Sequence, residues 1–200
     1  MIMPVSPYIA FEGPIAAGKT THAILLAKKI GSTLLLEDFP NNEFLVDFYS
    51  DKPRWSLPMQ LSFLTQRYEQ LKTVVPPLGK PVIIDYSHLK NEIFAELLLK
   101  ERELRLYSQI SAILEAKVVP HDVIVYLDAS NDVLLERIHN RNRAYERTID
   151  GAYLDSLRVA YDEALDGAQN IVRYDTSQLN LESELDVGRL QKAVLDAAFK

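Results

Sequence analysis

Gly13-Pro14-Ile15-Ala16-Ala17-Gly18-Lys19-Thr20 is the stretch that decides the fold of this chain. It fits the pattern G-x-x-x-x-G-K-[ST] at every fixed position. Tyr8-Ile9-Ala10-Phe11 before it reads as a short buried strand. From Lys19 to about Ile30 the apolar residues Ile24, Leu25, Ala27 and Ile30 recur at helical spacing. A chance match in an ordinary glycine turn would lack that strand-to-helix context. The glycines permit a tight turn that aims backbone N–H groups at phosphate oxygens. The helix N-terminus adds partial positive charge. Lys19 is placed to bridge two phosphates and the Thr20 hydroxyl to hold a magnesium ion.

The 200 residues are 48% hydrophobic, enough for one well-buried domain. A net charge of −6 with no basic stripe argues against a nucleic-acid-coating surface. Cysteine is absent, which excludes disulfides and thiolate metal sites. Met1 to Pro7 has neither a basic start nor an apolar core, so no signal peptide is expected. No apolar run approaches the length of a membrane span. A cytoplasmic protein without membrane or nucleic-acid partners is the expectation.

Strands and helices alternate along the whole chain. Gly31 is a candidate helix C-cap, and Ser32 to Leu36 reads as the second strand. Asn41 to Tyr49 reads as helical. Ser56 is a candidate cap for the next helix, with Pro58 in its first turn and Leu57, Leu61, Leu64, Tyr68 and Leu71 on one face. Pro76, Pro77, Gly79 and Pro81 break the chain before the strand Val82 to Asp85. Helices are expected from about Asn91 to Leu99 and from about Leu104 to Val118, the second ended by Pro120. Val123 to Asp128 is the fourth strand, and Ser130 caps a helix to about Arg141. Tyr153 to Ala168 is helical, Ile171 to Tyr174 is the fifth strand, and Glu182 to Phe199 closes the chain as a helix. Buried runs separated by helices indicate an α/β protein with a parallel sheet covered on both faces.

Ligands of such sheets bind at the carboxyl ends of the strands. That edge collects the glycine loop, Glu37, Asp85 and Asp128. Phosphoryl transfer needs a phosphate cradle, a metal ligand, an acceptor for the hydroxyl proton and cations for the developing charge. Asp85 is the candidate magnesium ligand beside Thr20, and Glu37 the candidate proton acceptor. Either carboxylate alone is also an ordinary turn or cap residue. Asp128-Ala129-Ser130 reads as a turn into a helix and receives no catalytic role. The loop Asp175-Thr176-Ser177 likewise receives none. Arg137, Arg141 and Arg143 cluster at one helix end; alone they read as a solvated face, beside the glycine loop as a lid closing on ATP. Gln60 and Arg67 lie two turns apart on one helix, placed either to read a base edge or to face solvent.

These blocks, in this order, resemble the deoxynucleoside kinases over most of the chain. The resemblance implies a P-loop kinase three-layer sandwich with a five-stranded parallel sheet, one domain over residues 1–200, and a lid at about residues 140–150. Glu37 followed by Asn42 to Leu45 and Phe48-Tyr49 is similar to the segment whose glutamate meets the 5′-hydroxyl and whose tyrosine meets the 3′-hydroxyl. Trp55 through Gln60 to Arg67 is similar to the base-reading helix, and Phe94 to the stacking phenylalanine. Glu146, at the end of the arginine-rich lid, is placed at the 3′-hydroxyl. The resemblance thus implies Glu37, Lys19, Arg141 and Arg143 as the catalytic set. Gly13, Ala16, Ala17, Gly18, Lys19, Thr20, Arg137 and Arg141 would bind the donor, ATP. Glu37, Leu45, Tyr49, Met59, Gln60, Arg67, Asp85, Phe94 and Glu146 would bind the deoxynucleoside, and Thr20 and Asp85 a Mg2+ ion. A homodimer is expected, paired through helices beside the base-reading region.

Two departures from the family pattern stand out. Asp85-Tyr86-Ser87 occupies the acidic-Arg-Ser position, so Tyr86 replaces an arginine; Lys90, nearby, is a candidate replacement cation. Tyr145 stands where many members carry the first of two lid glutamates. These features are closer to a bacterial branch than to the animal enzymes. A nucleoside monophosphate kinase of the thymidylate kinase type, a regulator that has lost catalysis and a small structural ATPase partner remain alternatives. Glutamine pairs with adenine, guanine or cytosine edges; the expected acceptor is a purine, chiefly deoxyadenosine, with deoxycytidine next.

Overall fold

The computed structural model describes residues 6–72, 80–177 and 184–198, with the side chains of residues 184 and 185 excepted. The expected break at Pro76, Pro77 and Gly79, residues 1–5, and the outer ends of the closing helix at Glu182 and Phe199 lie outside the described residues.

Five strands form one sheet: β1 (Tyr8–Glu12), β2 (Thr33–Leu35), β3 (Val82–Ile84), β4 (Val123–Asp128) and β5 (Ile171–Asp175). Their order is β2-β3-β1-β4-β5, and every pairing is parallel. Ile9 pairs with Ile83 on one side and Val123 on the other, which puts the strand before the glycine loop at the centre. All five residues of β1 are buried. Tyr8 and Ala10 join one apolar cluster and Ile9 and Phe11 another, so the alternating side chains serve two covered faces.

The helices are α1 (Lys19–Ile30), α2 (Leu45–Ser50), α3 (Lys52–Leu71), α4 (Leu89–Leu98), α5 (Glu101–Glu115), α6 (Asn131–Arg141), α7 (Gly151–Ala164) and α8 (Glu184–Ala198). α1 packs on β1, β2, β3 and α8, while α8 also meets β4 and β5. α4 packs against α3, α5 and α7. None of these helices is long and apolar enough to cross a membrane, among the described residues.

Several boundaries differ from the sequence reading for local reasons. The segment expected as one helix from Asn41 is a 3-10 turn, Phe39–Asn41, followed by α2. Asn42 separates them: its side chain accepts from Phe44 N at 3.0 Å and donates to Met59 O at 3.1 Å, competing with a helical ladder. Ser56 is not a cap. α3 begins at Lys52, capped by Asp51, whose side chain accepts from Arg54 N at 3.4 Å. Ser56 instead donates to Lys52 O at 2.6 Å, and Pro58 sits inside the helix. α5 starts earlier than expected and stops at Glu115, well before Pro120, because Lys117 N and Val118 N turn back onto Leu114 O and Glu115 O. α7 starts at Gly151, where the Asp150 side chain accepts from Tyr153 N at 2.9 Å. Gly31 is the left-handed C-cap of α1, as read from the sequence.

The glycine loop is pinned to the sheet. Gly13 has φ 142°, and a Cβ there would lie 2.0 Å from the Leu127 carbonyl oxygen of β4. Both the conformation and the approach require glycine. Gly13→Ala is expected to cost about 3 kcal/mol of unfolding free energy, measured by urea denaturation; an unchanged midpoint would show that the loop is not held against β4.

Candidate active site

The carboxyl ends of β1, β2 and β3 meet through one side chain. Asp85, directly after β3, accepts from Thr20 Oγ1 at 2.6 Å and, on its other oxygen, from Glu37 N at 2.7 Å. Asp85 thereby ties the first turn of α1 to the segment after β2. Lys19 is folded onto its own loop, donating to Gly13 O at 2.8 Å and Pro14 O at 2.9 Å. Burial depresses its ammonium to about 8; Lys90 adds to the depression, and Glu12, Glu37 and Asp85 oppose it.

Glu37 is the electrostatic centre. Its Oε1 accepts from Arg67 Nε at 2.9 Å, with Arg67 Nη2 on the same oxygen, and its Oε2 pairs with Lys90 Nζ. Arg67 is 4% exposed and gives Nη1 to Asn91 Oδ1. Its guanidinium lies 4.7 Å from the Phe63 ring centroid and 5.8 Å from that of Tyr86. Burial alone would raise the Glu37 carboxyl, but the two cations outweigh it and bring the group down to about 2.

Two adjoining cavities share Lys19, Thr20, Glu37, Arg141 and Arg143. Gly18, Asp85, Arg137 and Thr176 line the first, on the glycine-loop side. Leu45, Tyr49, Met59, Gln60, Arg67, Phe94 and Glu146 line the second. Gly13 and Ala17 line neither and form the buried backing of the loop. Asp85 thus stands on the loop side beside Thr20, whereas the other residues expected at the nucleoside face the second cavity. Gln60 and Arg67 do not face solvent; both are buried, and Gln60 Oε1 has no hydrogen-bond partner. Tyr49 is kept protonated by burial, which pushes its hydroxyl well above the usual tyrosine range.

The arginine cluster is folded onto a buried carboxylate. Arg141 Nε contacts Glu146 Oε2 at 2.6 Å, and Arg143 Nη1 contacts Oε1 at 3.4 Å. The segment Ala144–Glu146 forms a 3-10 turn whose Tyr145 ring lies 5.4 Å from that of Tyr49. Arg137 reaches across to Thr176, donating to its hydroxyl at 3.0 Å and its carbonyl at 2.8 Å. Asp128, read from the sequence as part of a turn, pairs with Arg158 at 2.8 Å.

Several residues escaped the sequence reading. Asn91 fixes Arg67, and its position next to Lys90 was the available signal. Glu12 is wholly buried and accepts from Ser87 N at 2.5 Å and Tyr161 Oη at 2.8 Å, joining β1, the segment after β3 and α7. Thr176 links Arg137 to the glycine loop through Ala17 O at 3.1 Å. These contacts span 24 to 159 positions, beyond the reach of a local pattern. Tyr86, at the expected arginine position, is wholly buried and donates to Gln70 Oε1 at 2.6 Å.

The chemistry available is a phosphate-binding loop, a hydroxyl–carboxylate pair of hard oxygen ligands, and an ionised glutamate between the two cavities. The chain is similar to known proteins over most of its length. A family model described as deoxynucleoside kinase matches residues 9–194. A deoxyguanosine kinase of Bacillus subtilis (strain 168) is 39% identical over 166 residues, which are 82% of this chain and 80% of that protein. A deoxyadenosine kinase of Dictyostelium discoideum is 32% identical over 172 residues, 84% of this chain and 69% of that one. The solved structure of a deoxyadenosine kinase from M. mycoides with bound dCTP shares the fold, with a TM-score of 0.80 over 94% of this chain and 99% of that chain at 24% identity.

The ion pairs of Glu37 have a pH signature. Its folded value lies below the ordinary 4.5, so the stability they contribute is complete above about pH 4.5 and is lost as pH falls toward 2. Arg67→Met is expected to cost about 3 kcal/mol at neutral pH. It should also flatten the fall of unfolding free energy on acidification, read from urea melts at several pH values. An equally steep fall in both proteins would mean that Arg67 does not hold the Glu37 charge.

Proposed function

The chain belongs to the deoxynucleoside kinase family, and we propose that it transfers the terminal phosphoryl group of ATP to the 5′-hydroxyl of a purine 2′-deoxynucleoside, with guanine the favoured base. The observation that carries this reading is the shared wall of the two cavities. Lys19 and Thr20 face the side of a triphosphate, Gln60 and Tyr49 the side of a nucleoside, and Glu37 stands between.

Each residue then has a task. The glycine loop and Lys19 cradle the donor phosphates, and Arg137 borders the donor from α6. Thr20 and Asp85 would hold a Mg2+ ion: their oxygens lie 2.6 Å apart, and one hydroxyl plus one carboxylate suits an ion that keeps phosphate and water ligands. Bound there, the ion would neutralise charge on the transferred group. Glu37 takes the proton of the 5′-hydroxyl as the new O–P bond forms. Lys19, Arg141 and Arg143 carry the charge of the transition state. Tyr49 and Glu146 hold the 3′-hydroxyl, while Leu45, Met59 and Phe94 enclose the sugar and base.

The acceptor side favours a neutral hydroxyl over a phosphate. Of the cations lining it, Arg67 and Lys90 are already matched by Glu37, which would repel a nucleoside monophosphate, and Arg141 and Arg143 rest on Glu146. The preference for guanine rests on Arg67. A glutamine amide offers one donor and one acceptor and suits either purine, but an arginine with N–H groups left over favours the O6 and N7 acceptors of guanine. The kinship with a deoxyguanosine kinase supports the same choice; deoxyadenosine is the second candidate. Pairing of two copies beside α3 belongs to this proposal, since α5 exposes Leu106 and Ile113 on one face, and light scattering would test it.

Two measurements test the reading. Incubation of the protein with labelled ATP and a panel of deoxynucleosides, ribonucleosides and deoxynucleoside monophosphates is expected to label deoxyguanosine fastest. Transfer only to monophosphates would reject the reading. Glu37→Gln is expected to lower kcat by about 10²- to 10⁴-fold while nucleoside binding, read by calorimetry, is largely kept. Full turnover would remove Glu37 as the base.

A further inference from the structure

Glu37 is held by two cations of different character. Arg67 is fixed, with its remaining contact on Asn91 and two aromatic rings beside it. Lys90 sits near the start of α4, with its side chain 13% exposed and its ammonium 5.9 Å from the Phe94 ring centroid. It lines the acceptor cavity and reaches the shared wall at Glu37 Oε2. That oxygen is also the one left for an incoming hydroxyl, because Oε1 carries both contacts of Arg67. The acceptor hydroxyl and Lys90 therefore meet at one atom. A lysine displaced from Oε2 has its flexible stem in a cavity whose other cationic walls are Lys19, Arg67, Arg141 and Arg143. In the kinase reading above, Lys19, Arg141 and Arg143 are the cations assigned to the phosphoryl group in transit, and Lys90 lines the same cavity. Tyr86, closed off in the apolar cluster, supplies no charge there.

We propose that Lys90 is a mobile catalytic cation: it holds Glu37 Oε2 while the acceptor site is empty, and when the nucleoside hydroxyl takes that oxygen its ammonium moves to a non-bridging oxygen of the transferring phosphoryl group. In this step the 5′-oxygen forms a bond to the γ-phosphorus, and the bond from that phosphorus to the bridging oxygen breaks. ADP leaves with that electron pair, the hydroxyl proton passes to Glu37, and Lys90 stays protonated throughout. The inference rests on the kinase reading above and adds to it a residue that matters to the transition state rather than to the ground-state complex.

Lys90→Met and Lys90→Arg separate these roles. Lys90→Met is expected to lower kcat about 100-fold or more, with the KM for the deoxynucleoside changed less than about threefold. Lys90→Arg, which keeps the charge, is expected to retain kcat within about tenfold. ADP with aluminium fluoride and deoxynucleoside mimics the transferring group; Lys90→Met should lose affinity for that mixture in proportion to kcat, yet bind a non-hydrolysable ATP analogue as the wild type does. If Lys90→Met does not fold, Lys90→Gln takes its place under the same criteria. A raised KM with unchanged kcat, or equal affinity for the fluoride complex, would overturn the proposal and leave the kinase reading intact. Absence of transfer by the wild-type protein to any deoxynucleoside would overturn both.

Discussion

A carboxylate in a closed cavity survives as an anion only with compensating charge, and Glu37 dictates much of what surrounds it. Its two oxygens take Arg67 and Lys90. Arg67 in turn cannot be buried on one ion pair alone, so Asn91 accepts another of its N–H groups and Phe63 lies beside the guanidinium. Two helices, α3 and α4, are thereby held to the segment after β2 by charge rather than by apolar contact alone. The arrangement also keeps Glu37 ionised yet weakly basic in the empty site. In the proposed role of base, a carboxylate so strongly paired becomes effective only when a substrate displaces part of its counter-charge.

Asp85 plays the complementary part on the donor side. By accepting from Thr20 and from the Glu37 backbone, it aligns three strand ends that are distant in sequence. Behind it, Glu12 does the same for β1, Ser87 and α7 without touching either cavity. The glycine loop rests on this frame and is pressed so close to β4 that no side chain fits at Gly13. Precision at the loop is thus a property of the sheet, consistent with a site that acts by positioning and electrostatics.

The arginine cluster after α6 is likewise neutralised within the chain. Arg141 and Arg143, the cations expected at the transferring phosphate, rest on Glu146. Tyr145 lies against Tyr49 and Arg143 over Phe39, 4.3 Å from the ring centroid, so the lid leans on the acceptor side. A nucleoside bound at Tyr49 and Glu146, as proposed, would alter these same contacts.

The amino-acid sequence by itself determined the loop Gly13 to Thr20, the five parallel strands and the carboxylates at their ends, because glycine geometry, apolar periodicity and strand termini are local properties. Glu37, Tyr49, Gln60, Phe94, Arg141 and Arg143, marked together by the family resemblance, line a common cavity. Helix starts were less legible where a side chain rather than propensity sets the boundary, as at Asn42, Asp51 and Asp150. Only the tertiary structure decided that Arg67 serves Glu37 and that Tyr86 turns into the core. It alone assigned the second oxygen of Glu37 to Lys90 and tied Glu12 to Tyr161. The physical reason is common to all four: which partner satisfies a buried polar or charged group depends on distances across separate elements, and no spacing along the chain encodes them.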